Sequence, residues 1–168
     1  MREQRQKSDS VAAPSPPGGK HAALFTSDPG EFEGFLFWRA SLRWQRMMTA
    51  ALREFKLTHV QCMLLVGAWL MEIENGQTPS QRELAERGAT DVMMTSQVLS
   101  TLEKRAYITR ERDPDDKRIR RVSVTPEGAA LAERALVVVA AADEEFFAQV
   151  GEPGILLEPL RKLAAWEG

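Results

Sequence analysis

The stretch Ser80-Gln81-Arg82-Glu83-Leu84-Ala85-Glu86-Arg87-Gly88, continued by Ala89-Thr90-Asp91-Val92-Met93-Met94-Thr95-Ser96-Gln97-Val98-Leu99-Ser100-Thr101-Leu102, decides the fold. It opens with a capping box, a serine three residues ahead of a glutamate. The hydroxyl and the carboxylate each satisfy a backbone N–H that the first helical turn leaves without a partner. The helix so started is short, because Gly88 stands where it must end. Thr90 or Asp91 caps a second helix running to about Arg105, with Val98, Leu99 and Leu102 on a shared core face. Two capped helices with a turn of a few residues between them, the first one short, form a helix-turn-helix.

Beyond Arg105 the period drops from that of a helix to that of a strand. Tyr107 to Arg112 alternates, and Arg120 to Val124 alternates again with Val122 and Val124 facing one way. Asp113-Pro114-Asp115-Asp116-Lys117 between them is turn chemistry, so a β-hairpin follows the helices. Thr125-Pro126-Glu127 then starts a long helix to about Val150, with proline at its first position and an acid at the positive end of the dipole. Gly151 and Gly154 bracket a break, and Leu156, Leu160 and Leu163 mark a last amphipathic helix. On the N-terminal side, Thr58-x-x-Gln61 is a second capping box, opening a helix whose body, Val60 to Ile73, is apolar nearly all round and stops at Asn75-Gly76. Before it, Glu31 to Phe55 is helical in pattern, with Phe35, Leu36, Trp38, Leu42, Met48, Ala51 and Leu52 at three- and four-residue steps. Residues 1–30, with a Pro/Gly block from Pro14 to Gly19, read as a disordered tail. The fold class is mainly α with a small β-hairpin wing: a winged helix-turn-helix over 57–125, flanked by helices over 31–56 and 126–168.

The 168 residues suit one domain with appendages, and 43% hydrophobic with 27% charged residues is a globular balance. The longest apolar run, Cys62 to Met71, falls short of the roughly 20 residues of a membrane span, and the first 20 residues hold no signal-like stretch. A cytoplasmic protein without a membrane partner is expected. One cysteine excludes an intramolecular disulfide and a Cys-rich zinc site, and two histidines poorly supply a zinc enzyme. No metal or cofactor is expected. An enzyme is the weakest reading, for no Ser/His/Asp order, glycine-rich phosphate loop or HExxH spacing occurs.

Net charge is −2, yet it is unevenly placed. Lys104 to Arg121 holds eight basic and four acidic residues, hence +4, whereas Val122 to Gly168 holds three basic and eight acidic. Such segregation attracts phosphate in a way the total hides. A solvated hairpin of mixed charge would give the same count, but beside a helix-turn-helix DNA is the better partner. On the second helix Met93, Met94, Ser96, Gln97, Ser100 and Thr101 remain for the outside. Gln97 suits adenine, a serine hydroxyl suits several base edges, and methionine suits thymine methyls. The two methionines would serve equally well packed against the neighbouring helix. At the hairpin tip Asp116 and Arg118 lie two apart, so the carboxylate can orient the guanidinium for a minor groove. An ordinary exposed ion pair is the plainer alternative.

The chain resembles the MarR family of transcriptional regulators from about Leu36 to Leu163. The residues that carry the likeness are Leu57-Thr58-x-x-Gln61, Ser80-Gln81-x-Glu83-Leu84-Ala85, Leu102-Glu103-Lys104, Arg112-Asp113-Pro114-x-Asp116-Lys117-Arg118 and Val124-Thr125-Pro126-Glu127-Gly128. The Asp-x-Arg wing followed by Thr-Pro-Glu-Gly is the specific part. Ala106 stands where the family usually has glycine, read as a less strained helix end, and Gln97 where arginine is frequent. The resemblance implies a homodimer built by 31–56 and 126–168 on double-stranded DNA. Its recognition helices would enter successive major grooves of a pseudo-palindromic operator, with half-sites about 10 bp apart. Phe35, Phe37 and Trp38, and the last leucine stripe with Trp166, offer apolar surface for that dimer or for the monomer's own core.

Residue chemistry and resemblance together place Ser80, Gln81, Met93, Met94, Ser96, Gln97, Ser100, Lys104, Arg112, Asp116, Lys117, Arg118 and Arg120 on DNA. The family also implies a small-molecule effector, aromatic or anionic, that relieves a repressor from its operator. Trp38, Trp44, Met48, Cys62 and Trp69 are its candidate contacts, with Arg43 or Arg46 for an anion, though core packing is the plainer role of each. Some family members sense oxidants through a cysteine in the first helix. This chain has none there, and Cys62, among apolar residues, is read as structural. The alternative function is a winged-helix protein-interaction module without DNA contact, which the acidic total favours. Its partner binding would be insensitive to salt, whereas DNA binding weakens steeply with salt.

Overall fold

The computed structural model describes residues 32–165. Its helices are α1 (Glu33–Ala51), α2 (His59–Asn75), α3 (Gln81–Arg87), α4 (Val92–Lys104), α5 (Pro126–Phe147) and α6 (Leu157–Ala164), with strands β1 (Ile108–Arg112) and β2 (Arg120–Val124) between α4 and α5. The architecture is the expected one, mainly helical with one antiparallel hairpin. The chain divides into two compact units at Ser41/Leu42, within α1, and the winged helix-turn-helix lies in the second. The tail expected over 1–30, and Trp166, lie outside the described residues. No helix among the described residues is long and apolar enough to cross a membrane.

Local chemistry sets the helix starts. Both capping boxes form: Gln61 N donates to Thr58 Oγ1 at 3.2 Å and Thr58 N to Gln61 Oε1 at 3.0 Å. Glu83 N donates to Ser80 Oγ at 3.2 Å and Ser80 N to Glu83 Oε2 at 2.6 Å. Asp91 caps α4, its Oδ1 accepting from Met94 N at 2.8 Å. Thr90 instead shares a 2.7 Å bond with the buried hydroxyl of Thr95, which donates to the Asp91 carbonyl at 2.9 Å.

Helix ends are less orthodox. The first helix stops at Ala51, four residues before the expected Phe55, and Arg53–Phe55 continues as a 3₁₀ turn closed by Lys56 at φ 52°. Gly88 follows α3 in ordinary right-handed conformation, and the left-handed residue is Ala89 at φ 48°. Glycine suits position 88 for its size, because a β-carbon there would meet the Leu84 carbonyl at 3.2 Å and the Leu64 side chain at 3.4 Å. Ala106 adopts φ 59°, so this helix end carries strain, contrary to the expectation of relief. An L-residue in that region is disfavoured by roughly 1–2 kcal/mol, because its β-carbon crowds the carbonyl.

One core joins the elements. Leu64 and Leu65 of α2 are buried with Leu52, Phe55, Leu57, Leu84, Leu99, Leu102, Ile108 and Val122, and Ala132 and Ala135 close it from the first half of α5. A helix assigned from the resemblance to dimerisation therefore also completes the monomer's core. The hairpin register runs from Ile108↔Val124 to Arg112↔Arg120. Beside it, Ser80 forms an isolated antiparallel bridge with Arg121, and Val122 N donates to the Pro79 carbonyl at 2.8 Å. The hairpin base meets α5 where Thr125 N donates to the Tyr107 carbonyl at 3.0 Å. That same carbonyl leaves no room for a β-carbon on Gly128, which explains the last residue of Thr-Pro-Glu-Gly.

Urea denaturation should register both the core and the strain. Leu99→Ala, at a fully buried position, should destabilise by about 2–5 kcal/mol. Ala106→Gly should stabilise by about 1 kcal/mol despite glycine's freer unfolded state. A destabilised Ala106→Gly variant would show that the left-handed turn carries no strain.

Candidate nucleic-acid interface

The outer side of α4 begins apolar. Val92, Met93 and Met94 are exposed, Met93 to 75%, so Met93 does not pack against a neighbouring helix. Gln97 and Thr101 are exposed, Ser96 and Ser100 half-buried, and Lys104 exposed at the C-terminal end. The Thr101 hydroxyl donates to the Gln97 carbonyl at 3.1 Å. The Gln97 carboxamide makes no hydrogen bond among the described residues and is open to a base edge.

Two sequence candidates turn inward. Ser80, expected on DNA, is buried, and its hydroxyl accepts from Glu83 N in the capping box, so its first role is to start α3. Gln81 Oε1 accepts from Arg110 Nη1 at 3.3 Å. Arg110, its side chain only 9% exposed, also pairs with Glu103 at 2.6 Å and holds that carboxyl below the usual carboxylate range. Gln81 is thereby a brace between α3 and the wing before it is anything else.

Arg121, which no sequence pattern singled out, is the joint between wing and helices. Its Nε donates to Asp113 Oδ2 at 2.7 Å, and its Nη1 donates to the Thr78 carbonyl at 3.2 Å and to Glu83 Oε2 at 3.4 Å. Asp113 Oδ1 meanwhile accepts the backbone N–H groups of Asp115 and Asp116 at 2.9 and 3.1 Å, shaping the tip. Arg121, then those N–H groups, hold the Asp113 carboxyl below its ordinary range, and the Ser80 hydrogen bonds do the same for Glu83. One residue of β2 thus links the wing's turn to the cap of α3.

At the tip Asp116 grips Arg118 with both carboxylate oxygens, Nε to Oδ1 at 3.0 Å and Nη2 to Oδ2 at 2.8 Å. Arg118 N donates to the same Oδ1 at 3.0 Å. The Arg118 side chain remains 90% exposed while the direction of its guanidinium is set. Of the eight basic residues between Lys104 and Arg121, three work inside the chain: Arg110, Arg121 and Arg105, whose Nη1 donates to the Lys56 carbonyl at 2.8 Å. Lys104, Arg112, Lys117 and Arg120 are exposed and make no ion pair among the described residues. Arg112 and Arg120 face each other across the hairpin. Like charges directly opposite are destabilising in a sheet, so this pair favours a polyanion laid against it.

The effector candidates scatter by role. Met48 and Cys62 are buried, and burial pushes the Cys62 thiol up to about 11, as a structural cysteine requires. Trp69 is half-buried against the core, Arg43 and Arg46 are exposed, and Trp38 is half-exposed with its ring 5.7 Å from that of Phe35. Trp44 is the informative one: its Nε1 donates to Asp143 Oδ1 at 2.8 Å and its ring meets His59 edge-on at 4.8 Å. His59 Nε2 is buried with no partner among the described residues. Burial lowers the His59 pKa, with Asp143 pulling the other way. His59 and Asp143 were not candidates from the sequence, because 84 residues separate them and only the packing of α5 on α2 brings them together.

The sequence matches the MarR family model over residues 67–119. It is 40% identical over 141 residues to an uncharacterized HTH-type transcriptional regulator, YdcH, of Bacillus subtilis, covering 84% of this chain and 95% of the relative. Among solved structures it is similar to the transcriptional repressor CouR bound to a 23-mer DNA duplex, with TM-score 0.72, 26% identity, and 82% and 96% of the two chains covered. It is also similar to BpsR of Bordetella bronchiseptica, described in terms of regulation of its DNA binding by 6-hydroxynicotinic acid, with TM-score 0.71, 25% identity, and 82% and 96% covered.

Two measurements check the geometry. The Asp113, Asp116, Glu83 and Glu103 carboxyls all titrate below their ordinary values. Their contacts are therefore complete above pH about 4 and lost as pH falls through the lowered pKa values. The protection factors of the β1 and β2 amides against exchange should hold from neutral pH to about pH 4 and fall below it. Arg121→Ala should produce the same loosening at pH 7, and unchanged exchange in that variant would refute the joint. A thiol reagent at pH 7 should label Cys62 only as fast as the protein opens, and rapid labelling of the folded chain would contradict its burial.

Proposed function

The chain belongs to the MarR family of winged helix-turn-helix transcriptional regulators, and from that footing we propose that it acts as a homodimeric, sequence-specific repressor released from its operator by a small molecule. The observation that carries this reading is the wing tip: an arginine side chain 90% exposed whose guanidinium is held along one edge, Nε and Nη2, by both oxygens of Asp116. Its orientation is settled before DNA arrives, so inserting it into a minor groove requires less ordering. With α4 in the major groove, Lys104, Arg112, Lys117 and Arg120 of each subunit meet phosphates, which position the protein without specifying sequence. Gln97 and the methionines meet base edges.

The second copy is proposed on α1 and on the C-terminal segment, each taken by itself. Leu36, Phe37 and Trp38 are exposed on α1, and Ile155, Leu157 and Leu163 in and beside α6, at levels that mark interaction surfaces when clustered. The effector is proposed near Trp44, where the unpartnered His59 nitrogen and the cationic Arg43 or Arg46 suit an aromatic anion. The regulation of BpsR by 6-hydroxynicotinic acid lends support by analogy. Such a ligand works only by binding the released form more tightly than the DNA-bound one. A cytoplasmic location belongs to the same proposal, since such a regulator works where its operator is.

Fluorescence anisotropy on operator duplexes tests the reading. About eight phosphate contacts per dimer give affinity falling as roughly the seventh power of salt concentration. Arg118→Ala should abolish specific binding, and Gln97→Ala should relax sequence preference while keeping the salt slope. Normal binding by both variants, or partner binding indifferent to salt, would favour the protein-interaction alternative.

A further inference from the structure

From Val92 to Glu103, α4 carries no lysine or arginine, and its first basic residue is Lys104 at the helix's last position. Its exposed side chains ahead of Lys104 are Val92, Met93 and Met94 in the first turn, then Gln97 and Thr101, with the Ser96 and Ser100 hydroxyls half-buried between them. Thr101 already uses its hydroxyl proton on the Gln97 carbonyl, which leaves it no proton to donate to a base.

The four bases ask different things of such a face. Guanine shows two acceptors in the major groove and calls for a paired donor such as a guanidinium, which this surface lacks. Cytosine shows an amino group and calls for a carboxylate. Asp91 is the nearest, and its Oδ1 already accepts from Met94 N. Thymine shows a methyl group, which an exposed methionine or valine can cover, and adenine shows the donor–acceptor pair that a carboxamide matches. Met93 and Gln97 are four residues apart, about 6 Å along the helix, so they address neighbouring base pairs rather than the same one.

We propose that α4 reads A·T pairs, with Val92, Met93 and Met94 covering thymine methyls and Gln97 paired to adenine. Each half-site is then A·T-rich where the helix N-terminus enters the major groove. This rests on the DNA-binding reading above and adds the class of sequence recognised. The exposure of three consecutive large apolar side chains has its reason here, since the groove removes them from water.

The test selects duplexes from a random pool with the full-length protein, then replaces single thymines of the enriched half-site by uracil, deleting only the methyl. Expected are half-sites with A·T pairs at the centre of the major-groove contact, and a loss of about fourfold in affinity for each covered methyl removed. At one thymine, the one Met93 covers, that penalty should vanish in Met93→Ala, an exposed substitution that leaves the core untouched, and Gln97→Arg should shift the preferred pair towards guanine. Steeply salt-dependent binding with a G·C-centred half-site, no sequence preference, or no uracil penalty overturns the readout and leaves the regulator standing. No salt-dependent binding to any duplex overturns both.

Discussion

The hydrogen bond from Val122 N to the Pro79 carbonyl, with the Arg121 guanidinium beside it, makes the wing part of the helix-turn-helix. Two strands alone are marginal in water, and this hairpin is only five pairs long. The bridge at Ser80 lends it the rudiment of a third strand, and Arg121 ties its turn, through Asp113, to Thr78 and Glu83 at the start of α3. The bearing of Arg118 relative to α4 descends from that joint. Glu83 serves twice, capping α3 through Ser80 N and receiving Arg121, so the start of the helix and the seat of the wing are coupled.

Charge in this protein is sorted by direction as well as by position. A net −2 conceals a +4 segment, and that segment is itself divided. Arg105, Arg110 and Arg121 hold backbone carbonyls and carboxylates inside the fold, while Lys104, Arg112, Lys117, Arg118 and Arg120 face out. The inward group gives the outward group its geometry. Placing Arg112 opposite Arg120 weakens the isolated hairpin, a local conflict of the kind proteins keep at working surfaces.

The helix starts were legible because capping is a matter of three neighbouring residues: Thr58 with Gln61 and Ser80 with Glu83 form their boxes as spacing requires. The ends were less so. Ala106 shows that a left-handed position can be imposed on a residue poorly suited to it when the flanking helix and strand demand a tight turn. Gly88 shows the converse, a glycine suited by its size at a position of ordinary conformation. Among the site residues, the exposure of Met93 and the grip of Asp116 on Arg118 follow from local periodicity. The engagement of Ser80 and Gln81 does not, since Gln81 meets its partner Arg110 only through the packing of the hairpin.

By itself the sequence determined the order of elements, the two capping boxes, the alternation of the hairpin, the uneven charge and the family likeness, all carried by residues close together in the chain. Tertiary structure alone decided which arginines are struts and which are free, that Arg121 joins wing to helix, and that Trp44, His59 and Asp143 share one half-buried corner. The reason is physical. Hydrogen-bond partners dozens of residues apart leave no periodic trace, whereas caps and amphipathic faces are written at a spacing of two to four residues.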